Sequence, residues 1–204
     1  MPPAGLLLAA GAGRRMGGPK ALVELDGQPL VRRALRVLAE GGCTPLVVVL
    51  GASAERVAPL VPDDVRVVVA EDWAEGMGAS LRAGLDALAS LDVDSAVVHL
   101  VDLPGVTPEA VARLAAAPTS DAPGPDALAR AAYAGIPAHP VLLGRSHWAG
   151  VRDAASGDAG ARGYLRGNPA VRLVECGDVA EPDDVDTPQQ LARLGHTTAP
   201  PPSV

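Results

Sequence analysis

Residues 8–20 read Leu8-Ala9-Ala10-Gly11-Ala12-Gly13-Arg14-Arg15-Met16-Gly17-Gly18-Pro19-Lys20 (LAAGAGRRMGGPK). This segment gives the clearest indication of the fold. The apolar run at 5–10 predicts a short buried strand, which leads directly into a loop containing four glycines. Glycine lets the backbone wrap closely around an anion and turn its N–H groups inward. Arg15 and Lys20 add positive charge, and Lys20 is the only lysine among the 17 basic residues. The stretch therefore predicts a strand followed by a triphosphate-binding loop.

Two other glycine-loop types fit less well. A Walker A loop places Ser or Thr after its lysine, whereas Lys20 is followed by Ala21. A dinucleotide loop needs G-x-G-x-x-G and an acidic residue after the second strand. Here the third glycine comes one position late, and the second strand runs into Leu50-Gly51-Ala52. A purely structural turn stays open as an alternative.

Outward from the loop, apolar runs alternate with helical patterns. Strands are predicted at 5–10, 45–50, 65–70 and 96–101, and helices at 29–39, 54–60, 78–88 and 107–116. Continuous apolar strands between helices indicate a mostly parallel sheet covered on both faces, hence an α/β fold. After a turn-rich loop at 118–125, strands are predicted at 127–133, 140–143 and 171–175. A last helix is predicted at 187–194, beginning with a Thr187–Gln190 capping box. We expect one domain over 1–196 and a disordered tail over 197–204.

The bulk composition excludes several classes of protein. The 204 residues are 48% hydrophobic, enough for a substantial core, and the net charge of -7 disfavours nucleic acid as a partner. No apolar run approaches a membrane span, and the N-terminus lacks a signal-peptide pattern, so we expect a cytoplasmic protein without a membrane partner. Cys43 and Cys176 are expected to be reduced thiols. His99, inside a strand, is expected to be a core residue with satisfied polar atoms.

Two aspartates are candidates for binding a metal ion. Magnesium prefers one or two carboxylates together with phosphate oxygens and water. Open α/β sheets bind ligands at the carboxyl ends of their strands. Asp102 follows the strand at 96–101 and precedes Pro104, which stiffens the turn. Asp186 lies before the last helix, and Asp184 is a candidate to support the metal site without binding the ion directly. Spacing alone does not pair them, and a turn-forming Asp102 or an acidic loop before a capped helix stays open.

Residues 8–20 resemble the L-A-x-G-x-x-x-R-M-G-x-x-K signature of the MobA-like nucleotidyltransferases, most closely that of the molybdenum cofactor cytidylyltransferases. The resemblance extends over roughly residues 5–194 and implies a three-layer α/β/α Rossmann-like fold. It implies that Lys20, Arg15 and Asp102 are catalytic and that Asp102 and Asp186 together bind Mg²⁺. It also implies a nucleotide-binding set in the loop: Ala9, Ala10, Gly11, Ala12, Gly13, Arg15, Met16 and Lys20.

Later segments carry the resemblance further. Val101-Asp102-Leu103-Pro104 is similar to the family's G-D-x-P, with Val101 in place of Gly, and 183–188 is similar to D-I-D-T-P. Residues 72–81 resemble the segment that lies against base and ribose, which implies nucleotide contacts from Gly76 and Ser80. Residues 133–141 resemble G-x-P-G-H-P, with Ala138 in place of Gly, and 157–162 resemble G-D-x-G-A-R. These two segments imply acceptor contacts from His139 and Arg162.

The resemblance implies a Mg²⁺-dependent transfer of a cytidylyl group from CTP to molybdopterin, with release of pyrophosphate. Ala10 in L-A-A-G favours cytidylyl over guanylyl transfer, because the guanylyltransferases usually have L-A-G-G. A molybdoenzyme or its chaperone is an expected partner. The alternatives are guanylyl or uridylyl transfer to molybdopterin, phospholactate or a sugar phosphate, and a non-catalytic module that delivers cofactor to a molybdoenzyme.

Overall fold

The computed structural model describes residues 1–117 and 124–194. Its strands are β1 (Ala4–Ala9), β2 (Glu24–Leu25), β3 (Gln28–Pro29), β4 (Leu46–Leu50), β5 (Arg66–Val69), β6 (Ser95–Leu100), β7 (Leu128–Tyr133), β8 (Ile136–Gly144) and β9 (Arg172–Glu175). Its α-helices are α1 (Leu30–Glu40), α2 (Ala54–Val57), α3 (Met77–Ala89), α4 (Pro108–Ala115), α5 (Trp148–Ala154), α6 (Arg162–Leu165) and α7 (Pro188–Leu194). Short 3₁₀ turns connect several of these elements.

Seven strands form the central sheet in the order β5-β4-β1-β6-β8-β7-β9, and β2 and β3 form a separate hairpin. β1 pairs in parallel with β4 and β6, and β4 pairs in parallel with β5. β8 runs antiparallel to both β6 and β7, whereas β7 and β9 are parallel. The prediction of an α/β fold with a mostly parallel sheet is confirmed.

Successive side chains of β1 point to opposite faces of the sheet, and the hydrophobic core has one layer on each face. Leu7 packs with α1 and α4 on one face of the sheet, whereas Leu6 and Leu8 pack with α3 and α5 on the other. Every residue of β1 is buried, as expected for the central strand of a doubly covered sheet. Full burial of one such leucine contributes about 1.5–3 kcal/mol of hydrophobic free energy. The three-layer α/β/α architecture follows from this arrangement.

Helix ends follow the expected capping chemistry. The Thr107 side chain accepts a hydrogen bond from the backbone N–H of Ala110 at 3.2 Å, and Pro108 occupies the first position of α4. Thr187 and Gln190 bond reciprocally: Gln190 Oε1 accepts from the Thr187 N–H at 2.9 Å, and Thr187 Oγ1 accepts from the Gln190 N–H at 3.3 Å. This is the predicted capping box.

The late part of the chain departs from the predicted boundaries. β8 covers nine residues, whereas the sequence predicted a strand only at 140–143. Pro137 and Pro140 lie in the first half of β8. Proline has no N–H to donate to a strand ladder, so the sequence did not predict a strand there. The predicted loop at 118–125 lies largely, and the tail at 197–204 entirely, outside the described residues. The single domain over 1–196 stays a prediction. None of the helices in the described part has the length and apolar character of a bilayer span.

Candidate nucleotide-binding and acceptor site

The glycine-rich loop folds back on itself directly after β1. Gly13 has φ 59° and Gly17 has φ 88°, backbone conformations that side chains disfavour. The N–H groups of Met16 and Gly18 both bond to the Gly13 carbonyl, at 2.9 and 3.2 Å. A Cβ at Gly13 would collide with the carbonyl oxygen of Gly18. Glycine is therefore required at position 13 for this compact turn.

The loop opens at the topological switch point of the sheet. From β1 the chain moves outward through β4 and β5, and then returns to place β6 on the other side of β1. The loops after β1 and β6 diverge there and leave a crevice, where open α/β sheets bind ligands. Asp102 lies in the loop that follows β6. The sequence therefore places the glycine-rich loop and Asp102 on the two sides of one crevice.

A backbone hydrogen bond brings the distant Asp186 to the same place. The N–H of Val185 donates to the carbonyl of Asp102 at 2.9 Å, and the Val185 side chain is fully buried. This anchor holds the segment before α7 beside the loop after β6. The pairing of Asp102 with Asp186, which spacing could not supply, follows from that contact.

Lys20 lies between the two carboxylates. Its Nζ donates to Asp102 Oδ2 at 2.7 Å and to Asp186 Oδ1, and Arg15 Nη2 pairs with Asp186 Oδ2 at 2.6 Å. Burial lowers the pKa of Lys20, but the hydrogen bonds and charges of the two aspartates outweigh it, so the net pKa is raised. The hydrogen bond from Lys20 holds the pKa of Asp186 below its usual value. Lys20 and Asp186 are thus charged at neutral pH.

A cavity of about 620 Å³ lies over these groups, within the range of small-molecule sites. Most of the predicted catalytic and nucleotide-binding residues line it: Ala10, Gly11, Ala12, Gly13, Arg15, Lys20, Gly76, Ser80, Asp102 and Asp186. Ala9 and Met16 do not line it. Ala9 ends β1 and packs in the core layer of α1, and Met16 lies in the 3₁₀ turn of the loop. The roles of these residues toward a nucleotide stay predictions.

A second cavity of about 380 Å³ adjoins the first, and Asp102 lines both. His139 and Arg162, the two predicted acceptor residues, line this second cavity. Its remaining wall is largely aliphatic, with Leu81 and Val98 among its members. The predicted nucleotide and acceptor residues therefore line neighbouring cavities, and Asp102 lies in the wall of both.

An irregularity of the β7–β8 pair presents His139. Arg130 pairs with Val141, whereas Ala132 pairs with Pro137, so β8 carries extra residues at this point. Such bulges re-aim side chains beside functional sites. The Tyr133 hydroxyl donates to the His139 carbonyl at 3.0 Å and fixes the bulge. Burial lowers the pKa of His139 to about 4, so its imidazole is neutral at pH 7.

Asp158 and Arg130 are polar residues of the site that were missed from the sequence. Asp158 lines both cavities, and its loop packs so tightly on Gly76 that a Cβ there would approach the Gly157 carbonyl carbon to 2.6 Å. Arg130 lines the second cavity from β7. Asp158 belongs to the G-D-A-G-A-R segment and could have been identified there. Arg130 gave one signal, a lone charge inside the otherwise apolar run LARAAY.

The carboxylates suit magnesium bound together with a nucleotide. Within the described residues there is no group of three or more His, Cys, Asp or Glu side chains placed to hold a metal. Asp102 and Asp186 supply two carboxylates that converge on one point, which Lys20 Nζ occupies. Mg²⁺ commonly takes one or two carboxylates and completes its shell with phosphate oxygens and water. The donor set therefore fits a metal that arrives with the triphosphate.

A glycine-rich loop at the switch point of the sheet faces two carboxylates. These features are typical of an α/β protein that binds nucleotides. The chain belongs to the MobA-like NTP transferase family, whose domain model matches residues 5–174. It is thus a nucleotidyltransferase-family protein, as the glycine-rich signature predicted.

Two relatives of this chain have names that describe different activities. It is 42% identical over 202 residues to nicotine blue oxidoreductase of Paenarthrobacter nicotinovorans, covering 93% of this chain and 95% of the relative. It is 33% identical over 147 residues to molybdenum cofactor guanylyltransferase of Rhodobacter capsulatus, covering 71% and 65%. Among solved structures, the manganese complex of Rv0371c from Mycobacterium tuberculosis is 25% identical, with a TM-score of 0.77 over 97% of this chain and 100% of the other.

Proposed function

We propose that this protein transfers a cytidylyl group from CTP to the phosphate of a molybdopterin-type acceptor. One observation carries the proposal: Lys20, Asp102 and Asp186 meet where the nucleotide cavity adjoins the second cavity. Nucleotidyl transfer needs positioned phosphates and neutralised charge more than covalent chemistry from the protein. Two adjoining cavities with a charged cluster at their boundary meet that requirement.

In the proposed reaction an acceptor phosphate oxygen attacks the α-phosphorus of CTP. The new P–O bond forms as the bond from the α-phosphorus to the β-phosphate oxygen breaks, and pyrophosphate leaves with that electron pair. Lys20 and Arg15 donate to the phosphate oxygens as negative charge builds up. Asp102 and Asp186 would hold Mg²⁺, which would neutralise the phosphates. No protein side chain has to take a proton, because an ionised acceptor phosphate is already the nucleophile.

The choice of CTP rests on the Ala10 position. Ala10 lines the nucleotide cavity at the end of β1, in the L-A-A-G pattern that resembles cytidylyltransferases. The similarity to a guanylyltransferase supports GTP as the nearest competitor. Acceptors other than molybdopterin, such as phospholactate or a sugar phosphate, would use the same loop and carboxylates.

A second candidate is an oxidoreductase that acts as a reductase on nicotine blue or a similar compound. It is favoured by the 42% identity to a protein named nicotine blue oxidoreductase, which extends over nearly the whole of both chains. The aliphatic wall of the second cavity, including Leu81 and Val98, would suit a flat apolar substrate. The nucleotide cavity would then hold an electron-donating nucleotide in place of a triphosphate.

One panel separates these functions. Purified protein with Mg²⁺ is given CTP, GTP or UTP, each with and without molybdenum-bearing molybdopterin, and pyrophosphate is measured. In parallel, NADH and NADPH oxidation is followed in the presence of nicotine blue. We expect acceptor-dependent pyrophosphate release, fastest with CTP. Nucleotide oxidation with no pyrophosphate would support the reductase instead. Binding of CTP without either reaction would support the non-catalytic delivery module.

A further inference from the structure

Arg130 lines the second cavity, and one nitrogen of its guanidinium group lacks a hydrogen-bond partner in the described part of the chain. It is the only charged residue of β7, and its side chain is half-buried. Its Nη2 donates to the Pro137 carbonyl at 3.3 Å, but its buried Nε has no hydrogen-bond partner in the described part of the chain. A buried donor without a partner has lost its hydrogen bonds to water without replacement, which destabilises the folded state. Such a group calls for an explanation, and a bound ligand is one.

A second arginine faces the same space. Arg162, from the start of α6, lines the cavity together with Arg130. Burial, and then the charge of Arg162, lowers the pKa of Arg130. Neither arginine forms an ion pair within residues 1–117 and 124–194. Asp102, Asp158 and Asp184 also line the cavity, but none of them forms an ion pair with either arginine within the described residues. Both guanidinium groups therefore remain available to an anion.

The cavity continues into an outer groove that carries more positive charge. Arg130 and Arg162 also line this groove, where Arg166 and Asn168 join them. Among the residues that the structure describes, no acidic side chain lines the groove, although the protein as a whole has a net charge of -7. Local charge of the opposite sign to the whole molecule is typical of a site that attracts an anionic ligand.

We propose that Arg130 and Arg162 bind a second anionic group of the acceptor, remote from the phosphate that reacts beside Asp102. The acceptor then carries, besides the phosphate that reacts, a second anionic group that lies toward Arg130 and Arg162. This inference rests on the proposed function, because it takes the second cavity as the acceptor site. It adds Arg130 as a residue that selects the acceptor.

The test uses alkyl phosphates of increasing chain length, each with and without a terminal carboxylate. Their binding is measured by calorimetry while a non-hydrolysable CTP analogue and Mg²⁺ fill the nucleotide cavity. Wild-type protein should prefer the carboxylated series by about tenfold or more at the matching length, the value of one charge-assisted hydrogen bond. Arg130→Met should remove that preference, and Arg130→Lys should restore part of it. Arg32→Met, an exposed arginine on α1, should retain it.

Each variant is first checked for its thermal midpoint and for unchanged binding of the CTP analogue. A preference that is equal in wild type and Arg130→Met, or absent in wild type, would overturn the inference. Pyrophosphate release is measured separately. If wild type releases none with any triphosphate, but the carboxylate preference still depends on Arg130, the proposed function falls and the anion site stands. If release is normal and the preference ignores Arg130, only the anion site falls.

Discussion

Lys20 Nζ donates to Asp102 Oδ2 at 2.7 Å, although 82 positions separate the two residues in the chain. The contact joins the loop after β1 to the loop after β6. It holds opposite charges together at the point where the two cavities meet.

Asp186→Asn should weaken the binding of Mn²⁺ in the presence of a non-hydrolysable CTP analogue by at least about tenfold. The change removes one of two converging carboxylates and its contacts with Lys20 and Arg15. Electron paramagnetic resonance of Mn²⁺ measures the affinity. Asp183→Asn is the matched control, because Asp183 is exposed and lines neither cavity. Equal Mn²⁺ affinity in the two variants would remove Asp186 from the metal site.

Gly13→Ala should lower CTP affinity at least about tenfold, because a left-handed alanine alone costs about 1–2 kcal/mol. Its Cβ would in addition collide with the Gly18 carbonyl. Gly18→Ala is the control: it lies in the same loop, needs no positive φ, and its added Cβ would meet no atom within 4 Å in the described structure. Calorimetric titration with CTP compares the two. Retained affinity in Gly13→Ala would show that the tight turn does not form the nucleotide site.

Tyr133→Phe should raise the KM for the acceptor while leaving the KM for CTP unchanged. The hydroxyl that donates to the His139 carbonyl at 3.0 Å would be lost, which loosens the bulge that presents His139. Stability should fall by about 1 kcal/mol. Tyr164→Phe loses a comparable bond to His147 outside both cavities, and should reduce stability without affecting either KM. A similar acceptor KM in both variants would exclude a positioning role for Tyr133.

His99 should make the fold sensitive to acid. Its ring is buried with Nδ1 unpartnered in the described structure, so the expectation of satisfied polar atoms was wrong for that nitrogen. Burial lowers its pKa to about 3 from 6.5. Between pH 6.5 and about pH 3, His99 is therefore protonated in the unfolded chain but neutral in the folded chain. The free energy of unfolding falls as the pH drops through this range. His99 should account for a loss of about 2 kcal/mol between pH 7 and pH 5.

His99→Leu removes the titrating group and should flatten that dependence by the same amount. Urea unfolding at pH 7 and pH 5 measures the free energy of unfolding for both proteins. Other acid-sensitive groups affect the two alike, so the difference between their pH slopes isolates His99. Identical slopes would show that the buried imidazole does not resist protonation.

The sequence predicts β1, β4, β5 and β6 of the central sheet well, because each of these strands lies in a largely apolar run between helical patterns. The two-residue strands β2 and β3 lack such a run and were not predicted. Thr107 and the Thr187–Gln190 pair mark helix starts through local hydrogen bonds, which depend only on neighbouring residues. β8 was predicted too short and its antiparallel direction was not anticipated, because strand direction depends on pairing partners far along the chain.

The functional site likewise has parts that neighbouring residues predict and parts that depend on contacts between distant residues. The glycine-rich loop could be predicted because all its parts lie within residues 8–20. The meeting of Asp102 with Asp186 depends on the Val185 backbone contact, which no local pattern encodes, and only the family resemblance anticipated it. Arg130 was missed because its importance lies in the space it faces across the β7–β8 pair.

If Lys20 and its two aspartates serve nucleotidyl transfer, the reaction must fail without the Lys20 ammonium group. Pyrophosphate release from CTP with Mg²⁺ and molybdenum-bearing molybdopterin measures this in wild type and in Lys20→Met. We expect release that depends on the acceptor in wild type, and a rate at least about a hundredfold lower in the variant. Equal rates in the two proteins, or no release by wild type with any triphosphate, would contradict the account.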